Sequence, residues 1–299
     1  MSEDSAVQPA SATRTTTQTT TQMPTQTTML TAALAAGGAH VQRRENLSYG
    51  PHAFDVYEPV AAAAPTVVIV FAMPDSVLAP RLGSAMKDTP HLQAWGRWLA
   101  ASGIRAVVPC SETPATDMPQ LWNHLCANAR ELGIDVARLG VLGWSGHGPL
   151  AFSLCCPAEG RTREARAGET AAVAAAPLVA APLPRALALL YAYSVDRAGS
   201  TAVHDTVRSY GMAVPATPHV LADLPLPTQL FIARAGRDAF AHLNVALDAL
   251  VTDALSANRP LTVINLPTAE HAFDLQPPTP DVLRCLRALL DFLQEALAG

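Results

Sequence analysis

The stretch Leu139-Gly140-Val141-Leu142-Gly143-Trp144-Ser145-Gly146-His147-Gly148 reads as a short apolar strand that runs into a serine turn and then into a helix. An unaided serine hydroxyl is a weak nucleophile, so it needs an adjacent base and a fixed presentation. A sharp strand-to-helix turn supplies the presentation. It lifts the hydroxyl above the end of a sheet and aims the first helical amides at a developing oxyanion. Only small residues fit beside such a turn, and Gly143 and Gly146 occupy those places. The Gly-x-Ser-x-Gly spacing is incomplete, because residue 147 is histidine and the next glycine is Gly148. Alone, the pentapeptide is as readily an ordinary Gly-Ser loop, so its meaning rests on what surrounds it.

Outward from this turn the chain alternates strand and helix signals. Upstream, Asn46–Tyr49 and Ala53–Tyr57 flank Gly50-Pro51 as a hairpin. Thr66–Ala72 is a continuous β-branched run of the kind buried on both faces of a parallel sheet. Leu92–Ala101 has helical spacing, Arg105–Val108 is a strand, and Met118–Leu132 is an amphipathic helix closed by Gly133. Downstream of the turn come a helix over 146–156, strands at 186–193, 228–234 and 261–266, and helices at 243–254 and 281–297. This alternation predicts an α/β fold with a mostly parallel central sheet and helices on both faces. Residues 1–40, rich in Thr, Gln and Ala, read as a disordered tail, and 41–299 as one domain. The 158–181 stretch reads as a surface linker or irregular helix. Residues 194–227 form a long Gly/Pro-punctuated connection, a candidate lid or insert.

Composition narrows the partners. A formal net charge of -5, with 15% of residues charged and no basic cluster beyond Arg43-Arg44, argues against nucleic acid. Five cysteines show no Cys-x-x-Cys or His/Cys ligand spacing, so no metal site is expected. They read as buried thiols of a reducing compartment. The most apolar run, 171–184, is broken by three prolines and too short to span a bilayer, so no membrane partner is expected and the cytoplasm is preferred, with secretion left open.

Chemistry in parallel sheets gathers at the carboxyl ends of the strands. Asp238 follows the 228–234 strand by a short loop, and His271 follows the 261–266 strand likewise. Ser145, then Asp238, then His271 is the chain order of a nucleophile, an orienting acid and a base. Each has an ordinary alternative: Asp238 could cap the following helix, and a loop histidine is usually solvated. Asp196 and Asp223 are rival acids less close behind a strand.

Four segments carry a resemblance to a known family: Tyr49-Gly50-Pro51 to Tyr57, Glu131 to Gly148, Phe231 to Asp238, and Glu270-His-Ala-Phe-Asp274. Over about residues 47–297 the chain resembles the α/β-hydrolase superfamily, most closely its dienelactone-hydrolase-like and small-esterase branches. That resemblance implies the α/β-hydrolase fold, with Ser145 as nucleophile, Asp238 as acid and His271 as base. It departs in three places. His147 replaces the second glycine of the turn, and reads as a pocket wall or an alternative base. The family's His-Gly-Gly oxyanion stretch is replaced by Phe71-Ala72-Met73-Pro74-Asp75, which leaves the Gly146 amide and either the Ala72 or the Met73 amide as donors, since Pro74 has none. The nucleophile is serine where dienelactone hydrolases carry cysteine.

The expectation is a serine hydrolase that cleaves a small carboxylic ester through an acyl-enzyme, without cofactor. The alternatives are an acyltransferase or thioesterase with the same triad, or a non-catalytic ligand-binding relative. Trp144, His147, Tyr210 and Met212 are the candidate pocket residues. The expected partner is a small-molecule ester, and a homodimer is kept as an option.

Overall fold

The computed structural model describes residues 41–61, 64–157 and 181–298. The 1–40 tail, and the 158–181 linker except Ala181, lie outside the described residues. In chain order the strands and helices are β1 (Gln42–Tyr49), β2 (His52–Glu58), β3 (Thr66–Ile69), α1 (Asp75–Leu82), α2 (Pro90–Ala101), β4 (Arg105–Pro109), α3 (Pro114–Ala127), α4 (Ala129–Leu132), β5 (Leu139–Trp144), α5 (Gly148–Leu154), β6 (Ala186–Leu190), α6 (Ala202–Ser209), β7 (Gln229–Ala235), α7 (Leu243–Ser256), β8 (Leu261–Leu266) and α8 (Pro280–Ala296).

Eight strands form one sheet in the order β1-β2-β4-β3-β5-β6-β7-β8. β1 and β2 are antiparallel to their neighbours, and every pairing from β4 to β8 is parallel. Alternate residues of each strand feed opposite faces. In β3, Val68 enters one apolar cluster with residues of α3, α5 and α7, while Val67 and Ile69 enter the other with α2 and α8. The sheet is therefore covered on both sides, and its central strands are wholly buried. Among the described residues, no helix is long and apolar enough to cross a membrane.

Three departures from the sequence reading have local causes. The helix expected from Met118 starts four residues earlier, at Pro114, because Asp117 accepts the Glu112 and Thr113 amides and gathers the entering turn; it breaks at Asn128 before α4. The strand expected to reach Tyr193 stops at Leu190, because Tyr191 adopts φ +37°. The 194–227 connection holds the short helix α6 and a single 3-10 turn at Leu221–Asp223.

Candidate active site

β5 sits in the middle of the sheet and delivers Ser145 at its carboxyl end, with φ +51°. A non-glycine residue in this left-handed region is strained, and the surroundings must hold it there. The neighbouring chain does so: the Ser145 amide donates to the Tyr191 carbonyl at 3.2 Å and the Tyr193 amide to the Ser145 carbonyl at 2.9 Å. The clasp explains why Tyr191 leaves the strand. Close packing of the turn also demands glycine. A Cβ on Gly143 would fall 2.7 Å from the Ala151 Cβ, and one on Gly148 would strike the Tyr193 carbonyl oxygen. A Cβ on Gly146 would meet the Met212 sulfur.

The structure brings Ser145, His271 and Asp238 together. Ser145 Oγ lies 2.8 Å from His271 Nε2, and His271 Nδ1 lies 2.7 Å from Asp238 Oδ2. The Asp238 side chain is fully buried, while the imidazole keeps partial access to solvent. The capping role also holds: Asp238 Oδ1 accepts the Phe240 amide at 3.0 Å. One carboxylate thus grips both the histidine and the backbone of the next loop. The rival acids are occupied elsewhere. Asp196 accepts the Val203 and His204 amides at the start of α6, and Asp223 accepts the Val220 amide.

A further carboxylate, three residues after His271, lies behind the histidine. Asp274 is fully buried and takes bonds from Tyr191 Oη at 2.5 Å and Trp95 Nε1 at 2.9 Å, with His91 Nε2 at 3.2 Å. Burial alone would raise its pKa, but the charge of His91 and these three hydrogen bonds outweigh it and hold the carboxyl below its ordinary value. The Tyr191 ring meets His271 edge-on at 5.0 Å, so this network buttresses the imidazole from behind.

Several expected site residues take other parts. Trp144 is 6% exposed and stacks on Trp95 at 5.5 Å, which makes it a core residue rather than a pocket wall. His147 is equally buried, and its Nδ1 accepts the Ala72 amide at 2.8 Å. That amide is therefore taken and does not face the reaction centre, which corrects the reading of Ala72 as an oxyanion donor. Burial lowers the His147 pKa to about 4, so the ring is neutral at pH 7 and carries its proton on Nε2. A neutral ring committed to Ala72 and more than 90% buried is not an alternative base either. The Ala72 carbonyl accepts from the Ala213 amide at 2.5 Å, and the Asp75 amide donates to the Ser111 carbonyl at 2.7 Å. The loop after β3 is thus pinned on both sides of Met73. Among the described residues, no loop or cap hydrogen bond engages the Met73 or Gly146 amide.

The 194–227 connection passes over the site. Met212 packs on Gly146, and Tyr210, 40% exposed, meets Phe240 edge-on at 5.9 Å. Phe240, which the sequence reading passed over, lies 4.3 Å from His271, ring centre to ring centre. Its signal was its place two residues after Asp238. Beside this segment lies a cavity of about 460 Å³, lined by Pro74, Pro114, Met212 and Ala213 with Glu112 and Arg208.

A second serine, histidine and aspartate also meet, but cannot do the same chemistry. Ser153 Oγ is 3.2 Å from His219 Nε2, and His219 Nδ1 is 3.3 Å from Asp223. Ser153 lies inside α5 without a strained turn, is 5% exposed, and the space beside His219 is only about 10 Å³. The contact pins the 215–223 segment to α5. Burial pushes the Cys110 and Cys285 thiols up to about 12, away from nucleophilic use.

No protein-family model and no curated protein matches the chain. Solved structures do. Esterase LipW from Mycobacterium marinum aligns with a TM-score of 0.57 at 19% identity, covering 90% of this chain and 86% of that one. MGS-M1, an α/β hydrolase enzyme from a Medee basin deep-sea metagenome library, aligns at 0.56 and 15% identity, covering 86% and 98%. The thermophilic esterase Est2 from Thermogutta terrifontis aligns at 0.56 and 13%, covering 85% and 92%. The chain has the α/β-hydrolase fold. None of these neighbours points to the dienelactone-hydrolase-like branch.

Proposed function

We propose that the protein is a serine hydrolase that cleaves a small carboxylic ester, with Ser145 as nucleophile, His271 as general base and acid, and Asp238 as the orienting carboxylate. The observation that carries this reading is the chain of two hydrogen bonds, 2.8 Å and 2.7 Å, from hydroxyl to imidazole to buried carboxylate. With Nδ1–H directed at Asp238, Nε2 presents its lone pair to the Ser145 hydroxyl. Ser145 Oγ attacks the ester carbonyl carbon as its proton passes to Nε2. The tetrahedral oxyanion is held by the Gly146 and Met73 amides, which no loop or cap hydrogen bond engages. The bond to the alcohol then breaks, and the imidazolium returns its proton to the departing oxygen. Water, deprotonated by the same nitrogen, attacks the acyl-enzyme and releases the acid and the free serine. No step calls for a cofactor. The cavity beside Met212 is large enough for a short acyl group.

His147 fits this scheme as a positioning residue. It fastens Ala72, and with the Ala213 contact it orients the Met73 peptide toward the oxyanion site.

The test is covalent labelling by a fluorophosphonate probe followed by peptide mapping. Modification of Ser145 that disappears in Ser145→Ala is the expected result; a folded protein that never labels would refute the reading.

A further inference from the structure

The departing alcohol of an ester must begin within hydrogen-bond reach of the group that protonates it. Here that group is His271 Nε2, so the alcohol starts in the wedge between Ser145 and the imidazole, whatever the acyl group is. Phe240 leans over the imidazole with its ring tilted 47°, and 45% of the residue is exposed. Tyr210 stands edge-on to Phe240 at 86°. The nearest carboxylate, Asp238, is fully buried and spent on His271 and the Phe240 amide, so it offers the wedge no charge.

Single exposed aromatic residues are common on protein surfaces and mean little. These two differ in being held. The Phe240 amide is bonded to Asp238, and the next carbonyl, Ala241, accepts the Tyr193 hydroxyl at 2.6 Å. Tyr210 Oη lies 3.4 Å from the same Tyr193 hydroxyl. Two partly exposed aromatic rings are therefore fixed at the proton-delivery side, Tyr210 resting on the buried Tyr193 ring at 6.2 Å and Phe240 on the imidazole. Aromatic rings prefer edge-to-face or offset contacts with a further ring over contact with a saturated group of equal size.

On this basis, and resting on the serine-hydrolase reading above, we propose that Phe240 and Tyr210 form the leaving-group subsite and that the protein acts on esters of aromatic alcohols. The acyl group is assigned to the other side of Ser145, toward Met212 and the adjoining cavity.

The experiment compares benzyl acetate with cyclohexylmethyl acetate. The acyl group and the size of the alcohol match, both are primary alcohols of similar acidity, and only the aromaticity differs. Purified full-length protein is expected to show a kcat/KM ratio, benzyl over cyclohexylmethyl, of about three to ten, the factor a favourable ring pair supplies beyond area burial. Phe240→Leu should bring the ratio to about one, and Phe240→Tyr should retain it. Circular dichroism shows whether each variant is folded, and fluorophosphonate labelling of Ser145 reports on the triad separately. A ratio near one in the wild type, an unchanged ratio in folded Phe240→Leu, or a labelled serine with turnover of neither ester overturns the subsite while leaving the nucleophile assigned. Failure of the folded wild type both to label and to hydrolyse overturns the hydrolase reading, and the subsite with it.

Discussion

His147 offers the most informative substitution, because its acceptor and its bulk separate cleanly. Replacing it by leucine keeps an apolar side chain against Phe71 and Trp144 but removes the acceptor for the Ala72 amide. A buried amide left without a partner costs about 1–3 kcal/mol, so a lower Tm is expected from the structural loss alone. The catalytic loss has a separate bound. Removing one oxyanion donor outright lowers kcat by about 10²–10³ in a known protease, and a displaced Met73 amide is a partial loss, so about ten- to hundredfold is expected. Because the donor acts on charge that develops only in the transition state, kcat should fall with little change in KM. His147→Asn restores an oxygen acceptor on the same side-chain carbon that bears Nδ1 and should recover most of kcat; His147→Gln moves the acceptor one carbon farther and should not. Steady-state kinetics on a chromogenic ester and thermal unfolding give both readouts. There is a pH signature as well. The folded-state pKa of about 4 lies below the ordinary 6.5, so the unfolded chain binds a proton more readily. Stability from this residue is then full above about pH 6.5 and is lost as pH falls toward 4. His147→Asn should show a shallower acid decline of Tm across that window. A folded His147→Leu protein with wild-type kcat would refute the positioning role.

Two further outcomes follow from the geometry. Asp238→Asn loses the carboxylate that selects the His271 tautomer and stabilises the imidazolium, and kcat should fall by up to about 10⁴; because the same side chain also takes the Phe240 amide, comparison with Phe240→Leu on the two acetates separates the effects. Gly148→Ala would drive a methyl into the carbonyl of Tyr193, the residue whose amide closes the clasp on Ser145, and should cost at least about 1–3 kcal/mol in urea unfolding. A Gly148→Ala protein as stable and active as the wild type would sink that account.

What could be read from the chain alone was whatever local pattern controls. The β-branched run at 66–69 and the glycine after α4 are written in consecutive residues, and Ser145, Asp238 and His271 each stand in a short loop or turn directly after a strand. Helix α1 was missed because Pro80 interrupts it and only Asp75 of its residues is buried, so its apolar spacing is faint. The fate of the Ala72 amide was out of reach for another reason: its acceptor is 75 residues away, and nothing near Ala72 announces it. Trp144 misled because a large aromatic beside a nucleophile suggests a pocket, whereas strand alternation turns it to the α2 side against Trp95.

The two oxygens of Asp238 do different jobs from one rigid plane: one meets the His271 imidazole, the other anchors Phe240, the rim residue that would greet the alcohol. Any shift of the 238–241 backbone that widened or narrowed the entrance would therefore also rotate the imidazole's support. Broadening the range of accepted alcohols by remodelling that loop should exact a toll in turnover, whereas exchanging the Phe240 or Tyr210 side chains on an unmoved backbone should not. With the proposed subsite, selectivity would be open to change at the ring surfaces and guarded at the main chain.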